Sequence, residues 1–183
     1  MAYKPVSIAK GAGSPGAPTA KDPNIIAIRT RDILSMPARV GVKITQNITL
    51  KPGAQAIGIY LTPSTISRND NSEGDPDKEG WIQNVAGAHP GDSVEINEFE
   101  QANIGEDFVL ITRECSETAS VKVHGSLCAP MKLVVEGQDN NEGVAHTLTW
   151  KSALRTSEKS AFYTGTIPAL APIAGDGSSD DGL

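Results

Sequence analysis

Aromatic side chains are scarce: three Phe, three Tyr and two Trp among 183 residues. A core must therefore be built mainly from Ile, Val, Leu and Ala, and an exposed aromatic platform for sugars has only Trp81 and Trp150 as strong candidates. No apolar run approaches the ~18 residues of a membrane span. The opening MAYKPVSIAKGAGSPG lacks the apolar stretch of a secretory leader. These absences predict a chain made in a cytoplasm, with no membrane partner. They also predict that its two cysteines, Cys115 and Cys128, are reduced thiols.

Recognisable chemistry is scarce as well. His89, His124 and His146 stand alone, with no ligand-spaced Cys, His or carboxylate beside them, and read as surface or strand-face histidines. Cys115 and Cys128 lack CxxC partners and have no base nearby in sequence. The run Gly11-Ala12-Gly13-Ser14-Pro15-Gly16 has no Lys-Ser/Thr to follow it and carries Pro15 inside, so it does not match a phosphate cradle. No Gly-x-Ser-x-Gly elbow occurs. The acidic stretch from Asn69 fails the EF-hand pattern, because its twelfth position is Gly80 rather than Glu. The expectation is a protein that is not an enzyme, with no catalytic residue, cofactor or metal.

What is present is an uneven charge. Residues 1–51 hold eight Lys/Arg against Asp22 and Asp32, a balance of +6. The other eight Lys/Arg face twenty Asp/Glu in residues 52–183, a balance of −12 within the net −6. A basic arm on an acidic body can pair copies head to tail, whereas an acidic body repels nucleic acid.

Residues 1–23 are rich in Gly and Pro and predict an extended N-terminal arm; residues 168–183 predict a flexible acidic C-terminal tail with Asp176, Asp180 and Asp181. Between them, residues 24–167 read as a single body of strands. Val42, Ile44, Gln46, Ile48 and Leu50 alternate with Lys43, Thr45, Asn47 and Thr49, predicting one strand that a turn at Lys51-Pro52-Gly53 joins to another over residues 55–62. Residues 63–80, PSTISRNDNSEGDPDKEG, read as a long acidic loop. Residues 93–104 read as a helix capped by Ser93. Further strands are expected at 24–29, 81–85, 107–115, 120–124, 131–136, 144–150 and 161–167. The predicted class is mainly β: a small sandwich or barrel of two packed sheets, one flanking α-helix, and an extended arm at each end.

In layout, residues 24–167 resemble the tail tube proteins of long-tailed bacteriophages, and more loosely the tube proteins of contractile injection and type VI secretion systems. The stretch that carries most of this is DSVEINEFEQANIGEDFVLI leading into SVKVHGSLCAPMKLVVEGQDNNEGVAHTLTW, within residues 92–151. The resemblance implies a structural virion protein whose copies form rings, six to a ring, stacked into a hollow tube that conducts DNA. Its partners would be itself, other virion proteins and DNA in transient, non-specific passage. Its location would be the virion tail, after synthesis in the host cytoplasm. The inter-subunit contacts expected on that reading are Arg68, Asp70, Glu73, Asp75 and Asp77 on the acidic loop, with Lys10, Lys21, Arg29 and Arg31 as the basic partners. Asp92, Glu95, Glu98 and Glu100 would contribute an acidic surface. The alternatives are a capsid decoration or head-completion subunit and a carbohydrate-binding β-sandwich.

Overall fold

The computed structural model describes residues 3–116 and 119–173. Among the described residues, twelve strands and one α-helix follow one another. They are β1 (Asn24–Arg29), β2 (Ile33–Ser35), β3 (Lys43–Ile44), β4 (Thr49–Leu50), β5 (Ile57–Tyr60), β6 (Ser67–Glu73), β7 (Gly80–Pro90), α1 (Val94–Asn103), β8 (Asp107–Arg113), β9 (Val121–His124), β10 (Met131–Asn140), β11 (Gly143–Ser152) and β12 (Ala161–Tyr163). The fold is mainly β, with a ten-stranded sheet, a small β2–β4 sheet and one helix.

The large sheet forks at β8. One edge of β8 pairs with β1. The other is shared, with β9 on Leu110–Arg113 and β10 on Asp107–Phe108. From β10 the sheet runs through β11 and β7 to β6, and from β9 through β12 to β3. Next to β1 lies β5, whose far end returns to β7: Thr62 donates to the Ala88 carbonyl at 2.8 Å, and the His89 ring meets the Tyr60 carbonyl at 2.8 Å. The strands β5-β1-β8-β10-β11-β7 thus curl back on themselves. Gly87 permits this approach, because a Cβ there would stand 2.7 Å from a Leu61 methyl.

Alternation explains why β1 and β8 form a wall between two cores. Ile25, Ala27, Phe108 and Leu110 face one core, with Leu61, Val85, Met131, Leu148 and Trp150. Ile26, Ile28, Val109 and Ile111 face the other, with Ile44, Ile48, Val123, Ala161 and Tyr163. A strand buried on both faces needs a continuous apolar run, which NIIAIR and DFVLITR supply.

The helix forms where its cap predicts. Ser93 Oγ accepts the Ile96 amide at 3.5 Å, and Ile96 and Phe99 pack on the first core.

Two expectations are corrected. Residues 42–50 do not make one strand hairpinned to 55–62. The Ile48 amide donates to the Tyr163 hydroxyl at 3.1 Å, and Asn47 Oδ1 accepts the Thr166 amide at 2.8 Å. The chain therefore leaves the large sheet after β3 and enters the small one at β4, while β5 pairs with β1. Residues 63–80 are not a long loop either: β6 pairs with β7 in seven consecutive registered positions, from Ser67↔Ala86 to Glu73↔Gly80. Its polar sequence hides a period of two, with Arg68 and Asp70 turned toward the body. Within the predicted tail, residues 174–183, with Asp176, Asp180 and Asp181, lie outside the described residues.

Candidate assembly surfaces

The charged residues singled out in the sequence divide into two groups. Arg68 is committed inside the molecule. Its guanidinium donates to Thr112 Oγ1 at 3.2 Å and to Glu114 Oε1 at 3.1 Å, with its side chain 10% exposed. Asp70 takes the Ser160 hydroxyl at 2.6 Å and the Ser160 amide at 3.3 Å. Arg29 pairs with Asp32 at 2.6 Å, and Arg31 with Glu106 at 3.0 Å. Lys21 donates to Thr19 and sits in a bridge with Glu114 that roots the arm. The other group stays exposed: Glu73 ends β6, Asp75 and Asp77 sit in the turn to β7, and Lys10 lies on the arm. Asp77 adopts a positive φ of 67°, a turn conformation that Asp tolerates better than most residues.

Around Arg68 lies a polar cluster that single-residue reading missed. His124 is 1% exposed, and its Nε2 stands 3.0 Å from Thr112 Oγ1. Thr112 Oγ1 accepts from Arg68 and also meets Nε2, while the His124 Nδ1 is a buried atom with no partner. Burial lowers the His124 pKa to about 4; Asp70 pulls it up, while Arg68 and Lys122 push it down. Lys21, Arg68, Asp70, Glu114, Lys122, His124 and Ser160 line a cleft of about 210 Å³ here. His146 is also buried. Its Nδ1 lies 2.8 Å from Glu100 Oε1, within ion-pair distance but out of line for a hydrogen bond, and its Nε2 lies 3.4 Å from Asp92. Glu100 therefore faces β11, whereas Glu95 and Glu98 are exposed. The Ser93 hydroxyl, followed by the backbone amide of Glu95 itself, lowers the Glu95 pKa.

Neither tryptophan forms a platform. Trp150 is fully buried, and the Lys159 ammonium lies 4.5 Å above the Trp81 ring.

Open backbone is concentrated at two strand edges. Among the described residues no strand pairs with the outer edge of β6, or with that of β10 beyond Lys132. The β10–β11 ladder continues to Asn140↔Gly143, and residues 136–144 are exposed throughout. Such edges offer unpaired N–H and C=O groups to another chain.

A third feature is an arm and a cleft. Residues 3–20 are exposed at every position, with Tyr3, Val6 and Ile8 at 75%, 66% and 92%. The arm meets the body where the Cys115 amide donates to Ala20 and the Asp22 amide to Arg113. Elsewhere an apolar cleft of about 270 Å³ opens into the second core between the segments 36–39 and 125–128, with Ile44, Val123 and Ala161 at its floor. Cys115 and Cys128 are both free thiols and both exposed.

Comparison with protein-family models, curated proteins and solved structures finds no match to this chain.

Proposed function

We propose that this chain is a structural virion protein, a tail tube subunit whose copies associate into rings and stack as a hollow tube for DNA passage. The observation that carries the reading is the open strand edge. The outer edge of β10 from Leu133 to Asn140 and that of β6 from Ser67 to Glu73 lack strand partners among the described residues. Each is long enough to accept a strand from a second copy, and ring closure would leave no edge exposed. The acidic body fits a conduit along which DNA slides without sticking, because repulsion keeps phosphates off the wall.

On this reading Glu73, Asp75, Asp77 and Lys10 remain available for contacts between copies. Arg68, Asp70, Arg29 and Arg31 have partners within the chain and serve its own stability. Lys21 anchors the arm. The test is electron microscopy of the untagged protein at rising concentration, with mass photometry of the dilute sample. Rings or hollow filaments of uniform width are expected. A monomer that persists at high concentration would rule the proposal out.

A further inference from the structure

The arm and the apolar cleft sit at opposite ends of β9. β9 begins at Val121, paired with Arg113, and Arg113 holds Asp22 at the root of the arm. It ends at His124, and the next residues, Gly125 to Cys128, form one lip of the cleft. β12 runs antiparallel to β9, which brings Glu158 and Ala161 to that same end. One copy therefore presents a donor at one end and an acceptor at the other.

The two are matched in chemistry. The arm's Tyr3, Val6 and Ile8 are apolar side chains with nothing to bury them. The cleft's floor is apolar, and its volume of about 270 Å³ falls just under the roughly 300–1,000 Å³ of small-molecule sites. That is room for one or two side chains rather than a cofactor. The first twenty residues carry Lys4 and Lys10 and no acid; Glu158 at the cleft's rim is paired with Arg39 through Oε2 at 3.2 Å and keeps 46% of its side chain exposed, so an arm lysine would share a carboxylate that Arg39 already holds. Ile8 lies twelve residues before Ala20, a stretch that spans up to about 40 Å when extended, enough to cross to a neighbour.

We propose that the cleft between segments 36–39 and 125–128 is the docking site for the N-terminal arm of a second copy, with Val6 and Ile8 as its apolar anchors and Lys4 or Lys10 near Glu158. The joint is head to tail, so it closes into rings or propagates as a filament. It rests on the self-assembly reading and specifies which surfaces meet.

Cys128 lies in the cleft and makes the joint testable. Ile8→Cys is introduced in a Cys115→Ser background and the assembled protein is oxidised. A ladder of disulfide-linked dimers, trimers and larger species is expected, and Cys128→Ser should abolish it. A second arm uses the chain without residues 2–12, of which residues 3–12 are exposed at every position. Its melting temperature should not change, and the concentration needed for assembly should rise about tenfold or more, as expected for losing one or two buried apolar side chains. Assembly with no ladder, or with only a fast-migrating monomer linked within itself, would overturn the arm exchange and leave self-assembly standing. So would assembly indifferent to the deletion. Absence of assembly from the intact chain at any concentration would remove both.

Discussion

β1 and β8 are buried on both faces, while the end of β6 from Asn71 to Glu73 and the outer end of the β10–β11 hairpin are exposed on both. The same backbone geometry serves opposite ends. In the wall, β1 pairs with β5 over Asn24–Ala27 and with β8 over Ile26–Arg29, and every side chain from Ile25 to Ile28 is buried. In the hairpins, pairing reaches the tips but one edge stays open and the side chains are polar. The wall stabilises the monomer, and the hairpin edges and arm are the surfaces left open for the proposed association. Charge alone does not sort residues between these roles: Arg68 belongs to the body, and Glu73, five positions on in the same strand, belongs to the tip.

The contrast can be broken most severely in the wall. Phe108→Ala should cost about 3–5 kcal/mol in chemical denaturation, because a fully buried ring leaves a cavity against Leu110 and Met131. A cost under about 1 kcal/mol would mean that this core is not packed as described.

Acid should act on the body next. The His124 pKa falls from an ordinary 6.5 to about 4 in the folded chain, so between those values the unfolded chain binds the extra proton. Stability is therefore fully present above pH 6.5 and is lost as pH falls toward 4, by about 3 kcal/mol from this residue. Unfolding free energies of the native chain and His124→Gln, compared at pH 7 and pH 4.5, should differ in slope, with the variant the flatter. Equal slopes would contradict a buried neutral His124.

Arg68→Met should destabilise the monomer by about 1–3 kcal/mol, since it strands Glu114 and Thr112. Glu114 is 26% exposed, and water offsets part of that loss. Assembly of the folded fraction should be unchanged. The smallest effect on stability belongs to the tip: Glu73 and Asp75 changed together to Lys should shift unfolding by about 0.5 kcal/mol or less. If rings form, that variant should form them more weakly than the native chain; indistinguishable assembly would remove the tip from the interface.

Much of this body was legible in the sequence. The apolar runs of β1 and β8, the alternation in β11 and the Ser93 cap each act locally, and each stands where its pattern predicts. The β6 strand was hidden because its inward positions are Arg68 and Asp70, whose partners Glu114 and Ser160 lie 46 and 90 residues away. Hydropathy periods cannot register a charged side chain buried by a distant partner. The same holds for His124, whose burial depends on packing against Thr112 and Arg68. Residues 42–50 alternated correctly at Ile44 and Ile48, which are both buried, but the switch between sheets depends on bonds to Tyr163 and Thr166. Of the nine charged residues expected at interfaces, the pattern could not separate those already paired within the chain from Lys10, Glu73, Asp75 and Asp77.

Hydrogen exchange followed by mass spectrometry, on the protein held first dilute and then concentrated, separates the stable wall from the edges open to association. Amides in the wall, Ile25–Ile28 and Phe108–Ile111, should be protected in both samples, while those of Leu133–Asn140, Ser67–Glu73 and the arm should gain protection only on concentration. Exchange at those edges that is identical at every concentration would contradict that association.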